Sequence, residues 1–230
     1  QVTGVSSDLI ETALLSYAGC VFYGFKSKYL LTLSLRADGA SQFSEDHKWG
    51  YFPSAAFAYR ISEENFMEGT RDWLSDLKLR ISYGETGNQA IRPYQTQGGL
   101  SRTTYSWNNS PGFGYRPTEL KNDDLKWETT AVFNFGLDFQ LFESRIRGSL
   151  DVYNTTTSDL LMFRNLPITT GYEQVLQNVG ATINNGIEIG LSTANIIKDN
   201  FSWNTDITFS SNRTKIDELY NGKVDDIGNQ

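Results

Sequence analysis

The chain has one cysteine, Cys20, and one histidine, His47, among its 230 residues. A single cysteine excludes an internal disulfide, and the lack of a Cys/His cluster leaves no structural metal site. Cys20 therefore reads as a small packing residue. Long apolar runs are also missing. The longest are a few residues, far short of the roughly 20 a membrane-spanning helix needs, so a helical membrane protein is excluded. A spanning β-barrel is not, because its strands need only about 10 residues of alternating character. The negative mean hydropathy averages such a signal away. Basic residues are in deficit, with 20 Lys and Arg against 27 Asp and Glu and a formal net charge of -7. With no basic stripe, nucleic acid is not an expected partner. Gln1 to Ile10 has neither a basic start nor an apolar h-region. The expectation is a fragment of an exported protein, with the true N-terminus upstream.

What is plentiful is Tyr, Phe, Thr, Ser, Asn and Gly, a composition that favours pleated strands and polar turns. Period-two alternation predicts strands over residues 15–25, 29–36, 54–61, 77–84, 128–141, 146–153, 186–193 and 201–209. The fifth is the clearest: Thr129, Ala131, Phe133, Phe135, Leu137, Phe139 and Leu141 face one way, and Glu128, Thr130, Asn134, Gly136, Asp138 and Gln140 the other. Only Val132 breaks the pattern. Between strands, 37–50 reads as a loop, 62–76 as a connection with a short helical turn capped by Ser62, and 85–126 and 154–185 as long loops without sustained period. The stretch from 210 to 230 reads as loop.

Three features separate a membrane barrel from a soluble sheet. No apolar-face position of these strands is charged, whereas Arg36, Arg60, Lys78, Arg80, Glu128, Asp138, Arg147, Asp151, Glu188 and Asp206 share the opposite face. A lipid face must be empty of charge, since an Arg or Lys at mid-depth costs about 2–4 kcal/mol. Connections alternate between short (26–28, 143–145, 197–200) and long (85–126, 154–185), as in barrels with periplasmic turns and outer loops. Phe25, Tyr29, Tyr59, Tyr83 and Trp203 stand near strand ends on the apolar face, where an interfacial girdle belongs. The expected fold class is all-β: an antiparallel transmembrane β-barrel segment, about eight up-and-down strands forming a curved open sheet. The inner face is polar and small, which suits a wide, plugged lumen better than a closed barrel of so few strands. The rival reading is a soluble β-sandwich carbohydrate-binding module, in which the same apolar residues are buried between two sheets. A third is an outer-membrane barrel serving as an adhesin.

Several strings are more specific. Arg36-Ala37-Asp38-Gly39-Ala40-Ser41-Gln42-Phe43 is followed by Trp49-Gly50-Tyr51-Phe52-Pro53-Ser54 and by Leu79-Arg80-Ile81-Ser82-Tyr83-Gly84-Glu85-Thr86-Gly87-Asn88-Gln89. Then come Asn122-Asp123-Asp124-Leu125-Lys126-Trp127-Glu128, Asp151-Val152-Tyr153-Asn154-Thr155 and Asn178-Val179-Gly180-Ala181-Thr182-Ile183-Asn184-Asn185-Gly186. In this order and spacing, over nearly the whole chain, they resemble the SusC/RagA family of TonB-linked outer-membrane receptors. The resemblance implies a barrel of about 22 strands closed by an N-terminal plug that is absent from 1–230. It further implies a SusD-like surface lipoprotein as lid, energy from the TonB-ExbB-ExbD complex, and import of glycans or peptides without covalent chemistry on the cargo. No cofactor is implied.

Candidate binding residues lie in the outer loops. Asn88 and Gln89, after the fourth strand, carry amides suited to a sugar or a peptide backbone; the plainer reading is a rim turn in which Gly87 supplies a positive φ. Tyr105, Trp107, Asn108, Asn109, Phe113 and Tyr115 offer faces for stacking and amides for hydroxyls, and equally suit packing against a lid lipoprotein or a neighbouring loop. Asp38, Glu45, Asp46, Asp123 and Asp124 match no calcium-loop spacing and read as solvated acids. No catalytic residue is assigned, because His47 has no activated serine string to serve.

Overall fold

The computed structural model describes residues 9–220. Residues 1–8, within the stretch read as lacking a leader signal, and 221–230, the end of the expected loop, lie outside the described residues. Twelve strands are present: β1 Leu14–Phe25, β2 Tyr29–Ala40, β3 Trp49–Arg60, β4 Leu74–Asn88, β5 Gly99–Trp107, β6 Ser110–Leu120, β7 Glu128–Leu141, β8 Ile146–Ser158, β9 Leu161–Asn165, β10 Gln174–Asn178, β11 Ala181–Lys198 and β12 Phe201–Glu218. Eight of them form one sheet in the order β1-β2-β3-β4-β7-β8-β11-β12, all antiparallel. Neighbours in the wall follow chain order, as an up-and-down barrel requires. β1 pairs only with β2 and β12 only with β11, so this arc is open at both edges.

The register carries one apolar face across the whole arc. Tyr83, Ile81, Leu79 and Leu77 of β4 stand opposite Phe133, Phe135, Leu137 and Phe139 of β7. Phe135 and Leu137 in turn face Val152 and Leu150 of β8, which face Ile187 and Ile189 of β11. Leu33, Phe133, Phe135 and Ile207 are exposed on this face. The wall is a single layer, so no second sheet buries them, and the sandwich alternative fails on that geometry. Charges that do fall in the outward register lie towards strand ends, Glu85, Arg213 and Lys215 at the outer end and Lys198 at the inner turn.

Strands run further outward than their alternation announces. β2 continues to Ala40, β3 starts at Trp49, β8 continues to Ser158, and β12 continues to Glu218 where a loop was expected. β11 and β12 have 18 residues each, well beyond the roughly 10 that cross a bilayer. Their outer halves stand in water on both faces, so nothing enforces a period of two there. The long excursions are not irregular either: β5-β6-β10-β9 make a second, four-stranded sheet at the outer rim, joined by a parallel β6-β10 pairing. Cys20 is exposed on the inner register opposite Ser34, not buried as a packing residue would be.

At the inner end, the 61–73 connection carries 3-10 turns at Ile61–Glu63 and Asn65–Thr70. Ser62 does not cap them; its hydroxyl donates instead to Asp76 at 2.9 Å. Tyr29 and Tyr59 stack at 5.0 Å, and both hydroxyls donate to Glu64, at 2.7 and 3.3 Å. Lys28 donates to the other Glu64 oxygen at 3.0 Å. The Tyr29 bond first, then Lys28, holds the Glu64 carboxyl below the usual range against the opposing pull of burial.

Candidate functional site at the outer rim

The only sizeable apolar core among the described residues lies at the outer end of the wall. Ala40, Phe43, Phe52, Ile91, Leu125, Trp127 and Leu176 form it, with Leu161 packed against it. Three excursions thereby meet: the 41–48 connection, the 89–127 excursion and the 159–180 excursion. Trp127 is the hub. Its ring lies 5.4 Å from Phe43 and 5.5 Å, edge-on, from Phe52, and its indole N–H donates to the Lys48 carbonyl at 3.1 Å. Each buried aromatic contributes about 1.5–3 kcal/mol, so the cluster has the means to order loops that would otherwise be free.

Glycines make room for that packing. A Cβ on Gly87 would stand 2.0 Å from Phe52 Cζ, and one on Gly50 would stand 2.5 Å from it. Gly87 lies inside β4 without positive φ, so its role is close approach of a ring and not the turn that was expected.

Polar anchors complete the roof. The Asn178 amide accepts from the Lys126 N–H at 2.9 Å and donates to the Lys126 and Asp159 carbonyls at 2.8 and 2.9 Å. The Asn122 amide donates to the Leu176 carbonyl at 2.8 Å. Sequence reasoning assigned none of these anchors, although Phe52, Asn122, Leu125, Trp127 and Asn178 all sit in the strings that carried the family resemblance.

The candidate binding residues are distributed over this roof. The Asn88 side chain is engaged, donating to Glu128 at 3.1 Å and accepting from the Ala90 N–H at 3.1 Å. The Gln89 side-chain amide oxygen, Oε1, is buried without a partner among the described residues. Asn108 and Asn109 are the two tip residues of the β5-β6 hairpin, with φ of 49° and 59°. This is the turn for which asparagine is favoured, so they shape the hairpin.

Pairing of Tyr105 with Gly112 and of Trp107 with Ser110 places those two aromatics on one side of the hairpin, in edge contact at 6.4 Å. Tyr115 and Phe113 belong to the other side, where the Arg102 guanidinium lies 3.8 Å from the Phe113 ring centre. The structure therefore offers two aromatic surfaces, not a single platform. Trp107 and Tyr115 remain 71% and 73% exposed, available to whatever sits above. Of the acids considered for a cation, Asp38 is buried and bound by Arg36 at 2.8 Å, and Asp123 pairs with Lys121 at 2.6 Å.

Beneath the roof, the inner face carries an ionic network. Arg80 donates twice to Asp138, at 2.9 and 2.8 Å, and reaches Asp151 at 3.0 Å. Lys78 joins Asp138 at 2.8 Å, and the Asn134 amide donates to Asp151 at 3.2 Å. Gly136 stands in register with both Arg80 and Asp151; a Cβ there would lie 2.7 Å from each, so glycine lets the guanidinium cross β7. Four charges neutralised on the inner face give a polar, ordered wall.

Residues 22–230 match the family model of the TonB dependent receptor-like β-barrel. TonB-dependent receptor P26 of Formosa agariphila is 41% identical over 223 residues, which is 97% of this chain and 22% of that protein. TonB-dependent receptor SusC of Bacteroides thetaiotaomicron is 35% identical over 229 residues, 94% of this chain and 22% of the relative. Among solved structures, the RagAB peptide transporter superposes with a TM-score of 0.82 at 31% identity, covering 96% of this chain and 24% of that one. The siderophore receptor PirA of Pseudomonas aeruginosa, at 16% identity and a TM-score of 0.57, shares the fold alone. The chain thus spans about a fifth of the length of the curated relatives it matches. These relatives and neighbours are receptors and transporters, not enzymes. The chain belongs to the TonB-dependent receptor β-barrel family, in its SusC/RagA branch, as an open arc of outer-membrane barrel wall with its outer loops.

Proposed function

We propose that this segment is part of an outer-membrane active importer that takes up oligosaccharides or peptides. It works with a SusD-like surface lipoprotein as lid and draws energy from the TonB-ExbB-ExbD complex through a plug outside this chain. The observation that carries the reading is the agreement with RagAB over 96% of the chain, loops included, because a peptide transporter of the same architecture gives the arc a role. The polar inner face supports it, since a wall lined by Ser, Gly, Asn and paired charges lets a hydrated cargo pass without binding tightly. Within the proposal, Asn88, Gln89, Tyr105, Trp107, Asn108, Asn109 and Tyr115 form the surface met by cargo or lid. Trp107 and Tyr115 make the contact, and Asn108 and Asn109 act by holding the hairpin tip.

The test is uptake of labelled oligosaccharides and of labelled peptides by cells with the intact gene deleted and then restored. Restoration should recover uptake of one cargo class, and a protonophore should abolish it. Uptake that persists in the deletion strain, or that ignores the protonophore, overturns the reading. Trp107→Ala should lower capture by about tenfold, the scale of one exposed aromatic contact, while leaving the amount of barrel in the membrane unchanged.

A further inference from the structure

The inner end of the wall has a cleft of about 560 Å³ whose walls are of two kinds. Phe142 and Ile146 give it an apolar side; Asp72, Glu143 and Arg145 give it a charged one. None of these three charged groups takes part in an ion pair among the described residues.

The backbone has been shaped to present them. Phe142, Glu143 and Ser144 all lie at positive φ, 52°, 54° and 66°. Glycine is favoured in that conformation, yet this turn has none. Hydrogen bonds from the Phe142 N–H to the Trp73 carbonyl at 2.8 Å, and from the Ala194 N–H to the Arg145 carbonyl at 2.7 Å, tie the turn to both neighbours. On the neighbouring strand, β11 slips register between Ala194 and Ile196. The slip leaves Asn195 unpaired in the outward register and sets Ile196 opposite Trp203; the Asn195 amide donates to Thr205 at 2.7 Å and accepts from Thr193 at 3.1 Å. A polar floor results on an otherwise apolar face.

The level of the cleft in the membrane is set by its surroundings. Phe142, Trp73 and Trp203 are exposed at this end of the wall, as aromatics at a headgroup boundary are. The short turns of this end place it at the periplasmic leaflet.

We propose that the cleft binds one phospholipid of that leaflet with a zwitterionic, primary-amine headgroup. The phosphate lies on the Arg145 guanidinium, the ammonium between the Asp72 and Glu143 carboxylates, and the start of an acyl chain along Phe142 and Ile146. Charge complementarity selects this occupant. Guanidinium and phosphate match in a forked, charge-assisted pair. The two carboxylates demand a cation that donates hydrogen bonds, which a primary ammonium does. A quaternary ammonium cannot donate, and a glycerol headgroup brings no positive charge.

The test uses the whole receptor carrying this segment, stripped of lipid and then given phosphatidylethanolamine, phosphatidylglycerol or phosphatidylcholine in separate nanodisc preparations. Retained lipid is counted by native mass spectrometry after release. Phosphatidylethanolamine should be retained about tenfold more than either of the others, the scale of a charge-assisted contact. Arg145→Gln removes the phosphate contact common to the three lipids and should lower retention of all of them by about tenfold. Asp72→Asn combined with Glu143→Gln should lower retention of phosphatidylethanolamine while raising that of phosphatidylglycerol, a reversal that misfolding does not produce. Equal retention of the three lipids, no effect of Arg145→Gln, or displacement of the lipid by inorganic phosphate would overturn the proposal, the last by making the cleft a free-anion site.

Discussion

Gly87→Ala adds one methyl group, and its landing place is known. A β-carbon at residue 87 would lie 2.0 Å from Phe52 Cζ, whereas ordinary contact begins at 3.4 Å, so the ring or the strand must yield by about 1.4 Å. The ring has little room to retreat. Gly50 borders it on one side, and Trp127 meets it edge-on at 5.5 Å. Overpacking of this kind costs about 1–3 kcal/mol. Phe52→Ala empties the same space and costs about 3–5 kcal/mol. If the ring is what the methyl strikes, the double variant is no less stable than Phe52→Ala alone, giving a coupling energy of about 1–3 kcal/mol. The assay follows the roof separately from the wall: protease cleavage within 89–127 on intact cells reports the loops, and heat-dependent gel mobility reports the barrel. Gly87→Ala should increase loop cleavage while leaving barrel melting nearly unchanged. An equal penalty for Gly87→Ala in the wild-type and Phe52→Ala backgrounds would refute the reasoning.

Other expectations concern the wall, the inner turn and the roof anchors. Phe135→Arg puts a charge on the lipid face and should cost about 2–4 kcal/mol, seen as reduced assembly into the outer membrane, while Asn134→Arg on the inner face should cost clearly less. Glu64 has a lowered folded-state pKa, so its contribution is present above the unfolded carboxylate value and is lost as pH falls through the folded one. Glu64→Gln should therefore flatten the acid limb of the stability profile, measured by thermal melting from neutral pH downward. Asn178→Ala removes two hydrogen bonds from the 159–180 excursion to Lys126 at the base of β7 and a third, to Asp159, within the excursion. At about 0.5–1.5 kcal/mol each, it should loosen those loops by roughly 2–4 kcal/mol, visible as faster amide exchange at Lys126.

How much of this was legible follows from what each face touches. Within the membrane, lipid on one side and water on the other impose strict alternation, so β7 and its neighbours were readable residue by residue. Above the membrane both faces of β8, β11 and β12 are wet; Asn154, Thr155, Thr156 and Thr157 continue the ladder without any apolar partner pattern. Their outer halves were missed for that reason. The β5-β6 hairpin was hidden by Gly112, Gly114, Pro111 and Pro117, residues that read as loop. Its tip, Asn108-Asn109, carried the turn signal all the same. Aromatic candidates were located correctly in the outer excursion, but their division between two sides of a hairpin depends on a register that composition does not reveal. The rim core was legible only as recurring strings whose purpose was unread. Phe52, Trp127 and Gly87 are far apart in sequence, and the contact among them is a property of the pairing of β3, β4 and β7.

That shared core bears on how receptors of this kind diversify. Because Phe43, Trp127 and Leu176 come from three different excursions and pack against one another, no single excursion carries its own interior. Transplanting one of them into a relative would leave a void at Trp127 and unpaired carbonyls at Lys48 or Leu176. The outer surface is therefore inherited as a block. The projecting β5-β6 hairpin contributes no residue to that interior, so substitutions on it leave the architecture beneath unchanged.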